Sequence, residues 1–148
     1  MKTCPSPLSI LVVDDVADSA DSLAELLGCH GYAARAAHSG AEALRAADAE
    51  RPDVVILDLA MPAMDGWELA GLFAVRERAP RLICLSGMDG DTGLPERDPF
   101  SKHLAKPAEI GVLIGELNRH AETLGRRLWL PRWIPDTNSA DALVKLAR

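Results

Sequence analysis

Short apolar runs alternate with stretches of helical periodicity along most of this 148-residue chain. Three of the runs are almost continuously aliphatic, which is typical of parallel strands that are covered on both faces. These predicted strands are Leu8–Val13, Val54–Leu57 and Leu82–Leu85, with weaker candidates at Tyr32–Ala37 and His103–Ala105. The alternation predicts five strand–helix units, and right-handed crossovers would place helices on both faces of one parallel sheet.

The predicted helices are marked by apolar spacing and by residues that favour helix ends. The apolar stripes of the first and third helices are Ala20, Leu23, Leu27 and Leu69, Leu72, Phe73. Ser39 and Glu42 form a capping box before the second helix. Gly66, ahead of the third helix, is assigned to a tight backbone turn. The last helix is expected to start at Pro107 and to end at Gly125.

One segment lacks the composition of a helix where the fourth helix is due. Five of the fourteen residues from 87 to 100 are Gly or Pro. Within a helix an interior Gly costs about 1 kcal/mol and an interior Pro about 3 kcal/mol relative to Ala. We therefore predict that residues 88–99 form a loop or at most one helical turn.

Charge and composition narrow the class of function. The net charge is −6, and it divides into −9 for residues 1–118 and +3 for residues 119–148. The acidic part of the chain, residues 1–118, is unsuited to binding nucleic acid, because neutralising phosphate groups requires clustered Lys and Arg. No apolar run suits a signal peptide or a membrane span. The three cysteines have no metal-ligand or redox spacing, so we expect reduced thiols and a cytoplasmic location.

The chain is predicted to divide into an arm, one domain and an extension. These parts are residues 1–7, 8–125 and 126–148. The extension contains Trp129 and Trp133, and a short helix is expected from Ser139 as N-cap. Large aromatic side chains rarely stay solvated, so the extension should dock on its own domain, in a homodimer or on another protein.

Acidic side chains follow two of the predicted strands. Asp14 and Asp15 come after the first strand, and Asp58 follows the third. In an open parallel sheet, ligands bind beyond the carboxyl ends of the strands. Three carboxylates converging there would repel one another without a cation, and Mg²⁺ prefers such oxygen ligands. With Ser86 after the fourth strand and Lys106 after the fifth, the set predicts a phosphoryl-transfer site.

The motifs that carry a family resemblance are ILVVDD at 10–15, VVILDLAMPAMDGWEL at 54–69, LSG at 85–87 and KP at 106–107. In this order they resemble a bacterial two-component response-regulator receiver domain, over about Leu8 to Leu124. The resemblance implies an α/β, flavodoxin-like, doubly wound five-stranded parallel sheet in the order 2-1-3-4-5. A stand-alone protein is expected, because an output domain would need about 60 further residues.

The resemblance also implies roles for the acidic residues. Asp58 would be the phosphoacceptor in a phosphorelay, taking its phosphoryl group from a histidine kinase or a histidine phosphotransfer protein. Asp15 would bind Mg²⁺ together with Asp58 and the backbone carbonyl of Ala60, and Asp14 would act through bound water. No separate substrate is implied, so the protein would catalyse only its own phosphorylation and dephosphorylation.

The remaining site residues would couple phosphate to conformation. Lys106 would pair with the phosphate or with Asp58, and Ser86 would donate a hydrogen bond to a phosphate oxygen. His103 occupies the position of the second switch residue, where Tyr or Phe is found in many receivers. Histidine there adds a possible dependence on pH.

Two other functions remain open. The first is a Mg²⁺-dependent phosphohydrolase with an aspartyl-phosphate intermediate, of the haloacid-dehalogenase type. That reaction needs a second acid two residues after the nucleophile, and the residue there is Ala60. The other is a receiver-like interaction module that is not phosphorylated, although such modules usually lack one of the acids or the lysine. The downstream partner is not identified by the sequence.

Overall fold

The structure, a computed structural model, describes residues 6–59, 66–86, 99–105 and 109–126 as one parallel sheet between two layers of helices. The strands are β1 (Ser9–Val13), β2 (Ala33–Ala37), β3 (Val54–Asp58), β4 (Arg81–Ser86) and β5 (Lys102–Ala105). The helices are α1 (Ala17–Cys29), α2 (Gly40–Ala49), α3 (Gly66–Ala74) and α4 (Ile110–Leu124). The strand order β2-β1-β3-β4-β5 confirms the expected topology.

Alternate residues of the central strands face opposite helical layers. Ile10 and Ile56 lie in a core cluster that contains residues of α1 and α4. Leu11 and Leu57 lie in a second cluster with residues of α2 and α3. Side chains along a strand alternate between faces, so a strand covered on both sides must be apolar throughout. The sheet thus has helices and a packed core on both faces, as the aliphatic runs predict.

The helices bury most of the predicted stripes. Ala20 and Leu27 of α1 are fully buried, and so are Leu69 and Phe73 of α3. Leu72 is an exception to the predicted stripe, because its side chain is 45% exposed. It lies outside the buried face of α3, which consists of Gly66, Leu69, Ala70 and Phe73.

The ends of the last helix are partly as expected. Gly125 adopts a left-handed conformation (φ 69°) and ends α4, as predicted. The expected start at Pro107 is wrong, because α4 begins at Ile110 and Glu109 before it is extended (φ −73°, ψ 118°). The predicted helix therefore loses its first turn.

Several predictions fall on residues outside the described part of the chain. They are residues 1–5 of the arm, residues 88–98 of the loop predicted at 88–99, Lys106 with Pro107, and all of the extension after Arg126, with its helix from Ser139. Among the helices that are described, none has both the length and the apolar character needed to cross a membrane.

Candidate functional site

Three carboxylates converge at the carboxyl edge of the sheet. Asp58 is the last residue of β3, and Asp14 and Asp15 follow β1, its hydrogen-bonded neighbour. One carboxylate oxygen from each residue lies within 4.8 Å of the others. Asp14 and Asp58 are buried, at 5% and 9% exposure, whereas Asp15 is exposed. The cluster predicted from the sequence is therefore formed by the fold.

Backbone hydrogen bonds hold Asp14 in place. Its amide donates to the carbonyl of Ala37 at the end of β2, at 3.1 Å. Its Oδ1 accepts a hydrogen bond from the amide of Val16 at 3.0 Å, directly before α1. The carboxylate is thus fixed between the ends of two strands and the start of a helix, whose positive dipole end favours negative charge.

The close approach of three carboxylates makes this edge suitable for a hard cation. At such a separation, two unit charges repel by about 1 kcal/mol in water and by about 3–4 kcal/mol at the effective dielectric of a protein surface. The donors are all carboxylate oxygens, and the exposed Asp15 leaves the cluster open on one side. Mg²⁺ matches this donor set, since it takes oxygen ligands and keeps several waters.

The remaining predicted site residues come from the neighbouring strands. Ser86 is the last residue of β4 and pairs in register with Ala105, the last residue of β5. Because β4 pairs with β3, the backbone of Ser86 ends at the same edge of the sheet as Asp58. Lys106 directly follows β5, and both it and Ala60 lie outside the described residues.

His103, on β5, belongs to an aromatic cluster with Phe100 and Trp67. Its ring centroid lies 5.5 Å from that of Phe100 and 6.0 Å from that of Trp67. Phe100 and Trp67 contact each other edge to face at 5.2 Å. His103 is exposed while Phe100 is buried, so the imidazole lies over the outer side of a packed pair of rings. Phe100 was not predicted to belong to this cluster, because it directly follows a segment that was predicted only to be a loop.

Gly66 serves the site by close packing. Its φ is not positive, so its backbone does not depend on the conformational freedom of glycine. The tight turn predicted here would involve residues 60–65, which lie outside the described part of the chain. A Cβ at this position would meet the Cα of Leu59 at 2.5 Å and the carbonyl oxygen of Asp58 at 2.7 Å. The amide of Gly66 donates to the carbonyl of Leu59 at 3.0 Å. The start of α3 therefore rests directly on the backbone that carries Asp58.

Comparison with solved structures shows the same fold. The chain is similar to the receiver domain of the Francisella response regulator 1452, with a TM-score of 0.70 and 26% identity over 81% of this chain and 98% of that one. A CheY-like receiver domain from Methylobacillus flagellatus gives 0.71 and 29%, over 78% and 99%. The response regulator TrrA from Thermotoga maritima, solved in complex with Mg²⁺-BeF, gives 0.69 and 27%, over 76% and 98%.

Sequence comparison gives the same family. The positive alginate biosynthesis regulatory protein of Pseudomonas aeruginosa is 36% identical over 85 residues, which are 55% of this chain and 34% of that protein. The response regulator MprA of Mycobacterium avium is 44% identical over 62 residues, 42% of this chain and 27% of that protein. The matches thus span about a third or less of these relatives. The family profile of the response regulator receiver domain matches residues 10–117, and the chain therefore belongs to that family.

Proposed function

We propose that this receiver domain accepts a phosphoryl group on Asp58 from the phosphohistidine of a histidine kinase or a histidine phosphotransfer protein. The observation that carries the proposal is the cluster of Asp14, Asp15 and Asp58, with carboxylate oxygens within 4.8 Å of one another at the carboxyl edge of the sheet. The phosphodonors of two-component systems are cytoplasmic, so the proposal places this domain in the cytoplasm.

In the proposed transfer, a carboxylate oxygen of Asp58 attacks the phosphorus atom of the donor. A phosphorus–oxygen bond forms, the phosphorus–nitrogen bond breaks, and the imidazole of the donor leaves. Asp15 would bind Mg²⁺ with Asp58 and the carbonyl of Ala60, and Asp14 would hold the ion through bound water. The ion would offset the negative charge of the transferring group. Asp14 is already fixed by its hydrogen bonds to the backbone, so little reorganisation is needed.

The proposed switch follows from the new charge on Asp58. Lys106 would pair with the phosphate, and the hydroxyl of Ser86 would donate to a phosphate oxygen. Movement of the β4 end toward Asp58 would open space beside β5, where the ring of His103 contacts those of Trp67 and Phe100. Phosphorylation would thereby change the surface that a downstream protein contacts.

Two other functions have less support. A phosphohydrolase of the haloacid-dehalogenase type needs an acid two residues after Asp58, where this chain has Ala60. A module that is never phosphorylated does not need the complete set of acids and the lysine, and all are present. We therefore propose that the protein has no separate substrate to turn over, and that its acidic part does not bind nucleic acid.

The test is phosphoryl incorporation from phosphoramidate, measured by intact mass, together with the phosphate released per chain. We expect one phosphoryl group per chain in Mg²⁺, none in EDTA, and release no faster than the decay of the phosphorylated protein. Asp15→Asn should abolish or greatly slow incorporation. Asp48→Asn, a change at an exposed carboxylate on α2, is the matched control and should be labelled like the parent protein.

Three results would contradict the proposal. They are incorporation that survives EDTA, incorporation that Asp15→Asn leaves unchanged, and repeated release of phosphate from an unlabelled protein. The last result would favour the phosphohydrolase.

A further inference from the structure

The outer side of α3 is apolar, which is unusual for a helix that lies on the surface. Residues 66–75 contain a single charged residue, Glu68. Leu72 is 45% exposed and Val75, directly after the helix, is 81% exposed. Surface helices normally carry polar residues on the side away from the core, and a helix that is apolar all round is normally covered. The end of α3 therefore offers a hydrophobic contact surface.

A groove of about 290 Å³ adjoins this end of α3, at the amino edge of the sheet. Residues that line it include Ala47, Pro52, Phe73, Arg51, Arg76 and Arg78. The guanidinium of Arg76 lies 5.4 Å from the centroid of the Phe73 ring and pairs with Asp48 at 2.9 Å. Guanidinium groups stack favourably on aromatic faces, and tryptophan is their best partner. The groove is thus suited to a large aromatic side chain.

The chain leaves the described structure at this same edge. Nη2 of Arg126 lies 3.2 Å from Oδ1 of Asp53, and Nη1 donates to the hydroxyl of Ser6. Asp53 is itself fixed, because its Oδ2 accepts from the amide of Ser9 at 2.8 Å. It directly follows Pro52, which lines the groove. The segment after Arg126 therefore starts at the amino edge of the sheet, on the α4 side, and must pass around that edge to reach the groove on the α2 and α3 side.

The segment that follows Arg126 is rich in apolar and aromatic residues, which complement the exposed apolar side chains of this surface. Residues 127–135 read RLWLPRWIP, with five apolar or aromatic side chains besides Pro131 and Pro135. Extended chain spans at most about 3.3–3.6 Å per residue, so Trp129 can reach about 10 Å from Arg126 and Trp133 about 24 Å. Prolines favour extended backbone and lack an N–H donor, which suits a segment lying along a groove.

We propose that residues 127–135 of this chain dock on its own amino edge, with a tryptophan in the groove and aliphatic side chains over Leu72 and Val75. A short tether keeps the segment at an effective concentration of about millimolar, which favours this contact over one with a second copy. Docking would cover the exposed end of α3. The surface lies at the edge of the sheet opposite Asp58, so the proposal is independent of phosphorylation.

The test uses the full chain with Trp67→Phe, so that only Trp129 and Trp133 contribute to tryptophan emission. We expect blue-shifted emission that is protected from acrylamide, and slow tryptic cleavage after Arg132. Val75→Glu should remove the blue shift and speed the cleavage, because it places a charge under the docked segment. Leu26→Glu, at an exposed leucine of α1 on the other face of the sheet, is the matched control and should change neither.

Three results would overturn the proposal. The first is solvent-like emission before Val75 is changed, and the second is emission and cleavage that Val75→Glu leaves as they were. The third is a blue shift that disappears on dilution as a dimer dissociates by light scattering, which would assign the segment to a second copy. Far-ultraviolet circular dichroism and thermal unfolding of each variant show that the fold is retained, as the 81% exposure of Val75 predicts.

Discussion

Gly66→Ala tests how the packing of α3 supports the phosphoacceptor. The new methyl group would lie 2.5 Å from the Cα of Leu59 and 2.7 and 2.8 Å from the carbonyl oxygens of Asp58 and Leu59. All three are backbone atoms, so no side chain can rotate away, and either β3 or α3 must shift. The variant should therefore lose stability and displace the backbone that carries Asp58.

The magnitude follows from two opposing effects. Inserting a methyl group into a packed site costs typically about 1–3 kcal/mol. Replacing Gly by Ala in a helix returns about 0.5–1 kcal/mol. We expect a net loss of about 1–2 kcal/mol, which lowers Tm by roughly 3–6 °C in a chain of this size. Urea unfolding at constant m-value measures it, and phosphorylation by phosphoramidate should be slower.

Gly71→Ala is the control in the same helix. No atom lies within 4 Å of the Cβ that it adds. It should stabilise the protein by about 0.5–1 kcal/mol and leave phosphorylation at the parent rate. The reasoning is refuted if Gly66→Ala is as stable as Gly71→Ala and is phosphorylated as fast, because the close approach would then have no consequence.

Two further predictions concern residues away from the site. The hydrogen bond that Nε2 of His38 donates to Asp21, at 2.8 Å, and the negative charge of Asp21 raise the pKa of His38, while burial and the charge of Arg81 lower the pKa of His120. NMR titration should place the two midpoints above and below the usual value of about 6.5. The ion pair of His38 with Asp21 stabilises the fold fully below about pH 6.5, and this stabilisation is lost as the pH rises through the folded pKa of His38. Asp21→Asn should therefore remove the stabilisation and lower the titration midpoint of His38. A midpoint that this change leaves where it was would contradict the prediction. Tyr32→Phe should cost about 0.5–1.5 kcal/mol in urea unfolding, because the buried hydroxyl donates to Asn118 at 2.8 Å, and no loss would contradict the bond.

The sheet and its acidic edge could be predicted because they depend on local patterns. Aliphatic runs such as Val54–Leu57 have one stable environment, a strand covered on both faces. A carboxylate that directly follows such a strand must lie at the carboxyl edge. The positions of Asp14, Asp15 and Asp58 therefore required only the strand assignments and the parallel topology, and their convergence is confirmed.

The errors arose where tertiary packing decides. The apolar spacing of α3 predicts that Leu72 faces the core with Leu69 and Phe73. The face of α3 that contacts the core is too narrow to include Leu72, which stays exposed. A glycine signals either a turn or a close approach, and only the position of β3 shows the close approach at Gly66. Phe100 joins Trp67 and His103 through contacts distant in sequence, so periodicity gave no sign of it.

The position of the phosphoryl group tests the central claim most directly. The parent protein is phosphorylated with phosphoramidate and Mg²⁺, the acyl phosphate is reduced with borohydride, and peptides are mapped by mass spectrometry. We predict homoserine at position 58 alone, and no modified peptide from Asp58→Asn. A modified residue elsewhere in the parent, or labelling of Asp58→Asn equal to that of the parent, would contradict the assignment of Asp58 as the phosphoacceptor.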